Sequence, residues 1–523
     1  MSLKQFKMKR NFSLILVLTG LLAFSQVEEK KLDGLIQNTI KTFDVPGMSV
    51  GIIKDGKTVY SKGFGVSSLT TKQKMDDNTL VGIASNSKGF TATALAILAD
   101  EGKLNFDDKV ITHIPEFRMY DPYVTQEITI RDLITHRAGL GLGQGDLMFF
   151  PEGGNLTVKD IIHNVRYLKP EHSFRNTMDY NNIMFIVAGE IIHRASGLSW
   201  AEFIEQKIMK PVGMNASFGN YNRAKAAGVK NIIDAHAPVD GKAVQIPHDW
   251  NETGDAAGGI MSNIKDMSTW AEFLMNGFTT RDGKKLVSDK QIQQLWNLQI
   301  ATPVAMKNAY DSNFGGYGLG WFLTDVKGHK QVYHTGGLIG TVTQFTLIPD
   351  MKLGIIVLTN QQSGAAFSAV TNTVKDAYLG MEDRNWLKTY GERMTKMNAD
   401  FEKGKREVFA KSAAFSNAKN LQPKPEQFVG TYGDAWFGDV VVAQEGKTYR
   451  IHAVNSPRLK GDLLPYTNNT FIAKWDDRSY DADAFVIFTY DETGKATSAK
   501  MKPISDITDF SFDFEDLDLQ RKK

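Results

Sequence analysis

The chain has 523 residues, 42% of them hydrophobic and 23% charged, with a formal net charge of +2 and no cysteine. That length holds more than one core, and a charge so near zero gives no electrostatic case for nucleic acid or an acidic membrane surface as partner. Without cysteine there is neither a disulfide nor a lipidated N-terminal Cys, and the histidines form no His-Glu-x-x-His pattern, which argues against a zinc site.

Lys4, Lys7, Lys9 and Arg10 precede an apolar run over residues 12–24, and Ala23-Phe24-Ser25 offers small residues for cleavage before Gln26. The run is short for a bilayer span. Residues 1–25 therefore read as the signal peptide of an exported, periplasmic or extracellular protein with no stable membrane span after its removal. Next, Leu32, Leu35, Ile36, Ile40 and Phe43 recur at helical spacing. Residues 48–66, rich in Val, Ile and Tyr around Lys54-Asp55-Gly56-Lys57, predict a β-hairpin with an Asp-Gly turn. The Ala- and Leu-rich stretch 91–101 ends at Gly102, as a buried helix does. Helical patterns return at 182–195, 200–209 and 263–275, whereas 317–358 breaks into strands at Gly328, Gly336-Gly337 and Pro349-Asp350. A hairpin, then helices, then strands describes an α+β domain over residues 26–380 whose sheet is closed by both ends of its sequence.

Residues 381–420 read as a charged helical linker, and Leu421-Gln422-Pro423-Lys424-Pro425 as a stiff lead into a last domain, 421–523. There 437–442, 449–454, 471–475 and 485–490 are short strand candidates. Phe510, Phe512 and Phe514, alternating with Asp509, Ser511, Asp513 and Glu515, predict one more strand with period two. Strands at this spacing suggest a small barrel or sandwich.

Ser-x-x-Lys occurs three times: Ser85 with Lys88, Ser262 with Lys265, and Ser416 with Lys419. Roughly two or three are expected by chance. Ser262 stands where a helix begins and reads as an N-cap, and Ser416 reads as exposed linker. Only Ser85 follows an apolar stretch and opens an apolar helix. There the spacing sets Lys88 on the same face one turn later, and the free N–H groups of the helix start can serve an oxyanion. A serine hydroxyl needs a base, and lysine serves once burial makes it partly neutral. Tyr180 could share the proton, because a phenol near a lysine ammonium ionises more easily. Singly, Tyr180 is more often a packed tyrosine and Asn182 more often a helix cap, while Ala256-Ala257-Gly258-Gly259 also reads as a tight loop before a helix and His334-Thr335-Gly336-Gly337 as a turn.

Taken in order, IASNSKGFTATALAILADEGKLNFDD, ITIRDLITHRAGL, MDYNN, IIHRASGLSWAEFIEQKIMKPVGM, AAGGIMS and HTGG resemble the serine β-lactamase and penicillin-binding-protein superfamily over roughly residues 30–380. The branch is that of class C β-lactamases, D-aminopeptidases, carboxypeptidases and related esterases. From Gln427, FVGTYG onward is similar to the lipocalin-like β-barrel appended to some members. The resemblance implies an α+β, transpeptidase-like domain, with an antiparallel sheet flanked by helices, followed by that small all-β barrel. It implies Ser85 as acylated nucleophile, Lys88 as its proton partner and Tyr180 as general base and acid. Asn182, His334, Thr335 and Gly336 would contact substrate, and the backbone N–H groups of Ser85 and Gly337 would form the oxyanion hole. His136 and Arg137 fall to loop structure. No metal or organic cofactor is required. His334 stands where many members have lysine, so reliance on a substrate carboxylate is not expected, and hydrolysis of small peptides, amides or esters fits better. A carboxylesterase with the same site, and a sensor that forms an acyl adduct without turnover, are the alternatives.

Overall fold

The computed structural model describes residues 28–248, 250–418 and 422–523; the leader predicted for residues 1–25 lies outside them. No helix among the described residues is long and apolar enough to cross a membrane.

The hairpin forms as its turn demands. Strands β1 (Gly47–Lys54) and β2 (Lys57–Gly65) are joined at Asp55 and Gly56, both with positive φ, the two-residue geometry that matches strand twist. The remaining strands of this sheet come from far along the chain: β3 (Ile300–Ala301), β4 (Gly315–Tyr317), β5 (Phe322–Val326), β6 (His329–Leu338), β7 (Thr341–Ile348) and β8 (Leu353–Thr359). The order is β2-β1-β8-β7-β6-β5-β4-β3, antiparallel between neighbours, so the last strand docks on the first, with Ser49 opposite Leu358.

Both faces of the sheet are covered, which explains why β8 is an unbroken apolar run, LGIIVLT, buried throughout. Its period of two sorts the residues: Ile355 and Val357 pack with Leu32 and Ile36 of helix α1 (Glu29–Thr42), while Ile356 and Leu358 join the helical layer on the other side. That layer is built around α2 (Ser87–Asp100), α3 (Ile183–Ser196) and α4 (Ile264–Met275). Every residue of α2 from Ser87 to Leu98 is buried, so this helix is the spine of the layer rather than an amphipathic cover. Helix α5 (Gly364–Tyr378) closes the α1 side, and the long α6 (Trp386–Asn417) leads away.

Eight strands then close a barrel in chain order: β9 (Gly430–Asp434), β10 (Gly438–Glu445), β11 (Thr448–Ala453), β12 (Lys460–Pro465), β13 (Thr470–Trp475), β14 (Ala484–Tyr490), β15 (Ala496–Pro503) and β16 (Leu519–Arg521). Tyr432 pairs with Arg521 to shut the ring, so no strand edge is left to aggregate. Phe428, Phe471 and Phe488 meet in its interior, at centroid spacings of 4.5–5.8 Å.

Three sequence expectations change. The alternating stretch around Phe510 is not a strand but the β15–β16 connection, because residues 511–514 are buried consecutively and Asp509 spends its carboxylate on the Ser511 N–H. Ser262 is not the cap of α4; it lies in a two-residue strand against Val81, and Asn263 caps instead, accepting from the Asp266 N–H. Ser416 belongs to the last turn of α6 and is half-buried.

Candidate active site

Ser85 sits in a 3₁₀ turn, Ala84–Asn86, that runs directly into α2. Ala84 holds φ +50°, a strained conformation for a residue with a Cβ, and such strain persists only where the surroundings enforce it. They do. Asn86 donates from Nδ2 to Ile83 O and to Thr343 Oγ1 (3.2 and 2.8 Å), and Thr343 itself donates to Ile83 O at 2.9 Å. These bonds fasten the turn to β7. On its other side β6 comes close because residue 336 is glycine: a Cβ there would stand 2.3 Å from Ile83 O and 2.9 Å from the Ala84 Cβ.

Lys88 lies one turn beyond the serine and is fully buried. Its Nζ donates to Ser85 Oγ (3.0 Å), Asn182 Oδ1 (2.7 Å) and Ala257 O (2.8 Å), and it stands 4.8 Å from the centre of the Tyr180 ring. Three acceptors satisfy an ammonium's donors, yet burial outweighs them and draws its pKa down to about 7, against the opposing pull of Asp146. Asn182 begins α3 but makes no capping bond. Its side chain lies between Lys88 and Asp146, accepting from the first and donating to Asp146 Oδ2 at 2.8 Å. Asn181 supplies the helix instead, accepting from the Met184 N–H.

The Tyr180 hydroxyl is buried without a hydrogen-bond partner, and burial raises its pKa well above the usual phenol range even though nearby Ser85 lowers it. Desolvation is the largest influence on this phenol. His136, with φ +57°, accepts the Asn181 N–H on Nδ1 and lies 4.3 Å from the Tyr180 ring centre, and burial drives its own pKa far down. It shapes the loop that carries Tyr180. Arg137 pairs with the buried Asp132 at 2.7 Å.

Strand β6 outruns its neighbour β5, whose pairing ends at Tyr333 and Phe322. Beyond that point His334 turns inward. Its Nδ1–H donates to Thr335 O (2.6 Å), which leaves Nε2 to accept from the Tyr317 hydroxyl (3.0 Å). Burial first and Lys88 second hold its pKa down at about 3, so it is a neutral ring. Thr335 and Gly337 line a cavity of about 400 Å³ together with Ser85, Tyr180, Asn182 and His334; Gly336 does not, because it faces Ala84.

Ala257 and Gly258 of the AAGG segment and Met178 and Asp179 of MDYNN also line the cavity, whereas the aromatic and barrel walls were not foreseen. Phe149, Phe150, Trp250 and Phe322 give the cavity an aromatic lining, and Asp509, Phe510 and Ser511 of the barrel's β15–β16 loop complete it. That loop is anchored on residues 143–147. Asp513 accepts the Gly145 and Leu147 N–H groups (2.5 and 3.0 Å), Ser511 Oγ donates to Asp146 Oδ2 (2.8 Å), and Phe512 packs edge-on against Phe150. A Cβ on Gly143 would lie 2.6 Å from the Phe510 ring. The glycine-spaced stretch Gly141-Leu142-Gly143-Gln144-Gly145-Asp146 was the one sequence sign that something packs there; nothing in 509–511 itself announced it.

A buried helix opening with Ser-x-x-Lys, set against the end of an antiparallel strand, defines the β-lactamase/transpeptidase-like class. The chain belongs to the beta-lactamase family: the family profile of that description matches residues 32–379. A second profile, a domain of unknown function (DUF3471), matches residues 417–521. Among relatives, unguisins hydrolase ungD' of Aspergillus campestris (strain IBT 28561) is 27% identical over 429 residues, 77% of this chain and 74% of that protein. Protein flp of Staphylococcus aureus (strain NCTC 8325 / PS 47) is 28% identical over 339 residues, and the chain spans 64% of its length, as of its own. The octameric penicillin-binding protein homologue from Pyrococcus abyssi superposes with a TM-score of 0.59 at 24% identity, covering 94% of this chain and 99% of that one. A class C beta-lactamase does so with 0.54 at 21%, over 68% and 96%. At these identities the two structures establish the fold.

Proposed function

We propose that the protein is an exported serine hydrolase that cleaves small peptide or amide substrates through an acyl-enzyme on Ser85. The observation that carries this reading is the 3.0 Å bond between the Lys88 ammonium and Ser85 Oγ inside a desolvated site. Neutral Lys88 takes the Ser85 proton as Oγ attacks the carbonyl carbon, and the N–H groups of Ser85 and Gly337 receive the oxyanion. Collapse breaks the C–N bond. The proton passes from Lys88, by way of the Tyr180 hydroxyl, to the leaving amine. Water then attacks the ester, giving its proton to Lys88, and Ser85 recovers its own.

Substrate preference is argued from the lining. Among the described residues no lysine or arginine lines the cavity and His334 is neutral, so no cation there pairs with a carboxylate; Asp179 and Asp509 line it and favour a cation, Asp509 less so because burial raises its pKa. An amino-acid amide or short peptide with a free ammonium and an apolar side chain suits this better than a free C-terminus. The aromatic lining also favours a second reading, a carboxylesterase using the same residues. The positive, apolar leader supports export.

The test is intact-protein mass after exposure to a fluorophosphonate. A single adduct on the wild type and none on Ser85→Ala supports the reading, and no adduct on either sinks it. Turnover of an amino-acid anilide, its N-acetylated form and an aryl ester then separates the two readings: the free-amine anilide is expected to be preferred, and an ester-only enzyme would be the esterase.

A further inference from the structure

Asp146 is a fully buried carboxylate that the steps above do not use. It touches neither substrate nor serine. Its Oδ2 accepts from Asn182 Nδ2 and Ser511 Oγ, each at 2.8 Å, while Oδ1 has no partner at all. A buried carboxylate left half-satisfied is costly unless a cation nearby offsets it or a proton neutralises it. The cation within reach is Lys88, on the far side of the Asn182 amide. The amide accepts from the ammonium on Oδ1 and donates to the carboxylate from Nδ2, so its dipole lines up with both charges. Two domains meet in this chain: Lys88 and Asn182 belong to the helical layer, Ser511 to the barrel.

We propose that Asp146 is a positioning residue for Lys88, acting through the Asn182 amide, and that the barrel sets the carboxyl through Ser511 and thereby tunes the nucleophile. The proposal rests on the Ser85–Lys88 reading given above. An ionised Asp146 holds the proton on Lys88, and a neutral one releases Lys88 to act as base. Ser511, by donating to Oδ2, favours the ionised carboxylate and so restrains the lysine. Burial pulls the other way, raising the Asp146 pKa far above the usual carboxylate range. The groups facing the pair are few. Lys88 meets Tyr180, His136 and His334, and both imidazoles are neutral because burial depresses them. From the barrel, Asp509 adds negative charge near Asp146. Asp513, whose own pKa burial and Asp146 raise, lies beside it on the Gly145 and Leu147 N–H groups, with Asp516 behind.

The experiment is the pH dependence of fluorophosphonate labelling at Ser85 in the full chain, because the midpoint reports the proton on the Lys88–Asp146 pair, whereas a merely structural contact changes only amplitude. Asp146→Asn keeps an oxygen for Asn182 and removes the charge, so its midpoint is expected to move to lower pH by about one unit. Ser511→Ala should move it the same way by less, and Ser511→Thr should restore it. An unmoved midpoint in a folded Asp146→Asn protein overturns the proposal. A shift there with none in Ser511→Ala removes the barrel's part. If Asp146→Asn does not fold, as judged by circular dichroism, the Ser511→Ala and Ser511→Thr pair decides alone: no shift in Ser511→Ala overturns it. A wild type that does not label at all removes the underlying reading, and the proposal with it.

Discussion

The eight-stranded sheet and the barrel approach the cavity by opposite means. The eight-stranded sheet is open, and it offers backbone: β6 runs past β5, and Thr335 and Gly337 line the cavity. The barrel is closed, every strand paired on both sides, and it has no edge to lend. It contributes side chains on a loop, Asp509, Phe510 and Ser511, held in place by a second loop of the other domain. An open sheet supplies geometry that any substrate amide can use, whereas a closed barrel supplies a wall whose chemistry can differ from protein to protein without disturbing the strands.

Substitutions that strike one contribution and spare the other sharpen this contrast. Ser85→Ala removes the atom both serve. Turnover should fall at least about a thousandfold with the melting temperature little changed, as steady-state kinetics and calorimetry would show. Acid should act on the same centre in a graded way. With neutral Lys88 as the working base and its pKa near 7, kcat/KM is expected to rise with pH and level off above that value. It should therefore stand about a hundredfold below its plateau two units lower; a flat profile between pH 5 and 8 would contradict a lysine base. Gly336→Ala breaks the backbone half. Its new Cβ meets Ile83 O and Ala84, so β6 must move off the serine turn, costing roughly 1–3 kcal/mol of stability along with kcat. Gly337→Ala meets nothing within 4 Å and serves as the folded control in urea titrations. Phe510→Ala touches only the side-chain half. This ring is 41% exposed and meets Tyr180 edge-on at 5.9 Å. KM for apolar substrates should rise about two- to tenfold with stability changed by less than about 0.5 kcal/mol.

What could be read in advance followed the same division. The Asp55-Gly56 hairpin, α2, α3 and α4 were legible because turn chemistry and periodicity are local. Strands β10, β11, β13 and β14 fell close to their predicted runs, while β9, β12, β15 and β16 escaped: β12 holds Gly461 and Pro465, and β15 carries Lys500 and Lys502, which blur the alternation. Ser85, Lys88, Tyr180, Asn182 and His334 could be named from short motifs, and the structure brings four of them to one cavity with Lys88 buried behind, bonded to Ser85 and Asn182. Asp146, Asn86 and the 509–511 wall could not. Asp146 matters only through Asn182 and Ser511, Asn86 through Thr343, and the wall through its anchors at 145 and 147; apart from the glycine spacing at 141–145, none of these pairings leaves a mark in the neighbouring sequence. The period of two around Phe510 misled because a loop docked between two domains buries both alternating sets.

The pairing of β1 with β8 also imposes a schedule. At the roughly 5–20 residues per second of translation, Ser85 leaves the ribosome about 20–85 s ahead of Ser511. Throughout that interval the serine turn lacks, in succession, the Asn182 amide, the β7 anchor of Asn86 and the barrel wall. Contacts so distant in sequence form late. A half-made chain therefore carries Ser85 without the neighbours it has in the finished fold, and its surroundings are complete only once the barrel has been made.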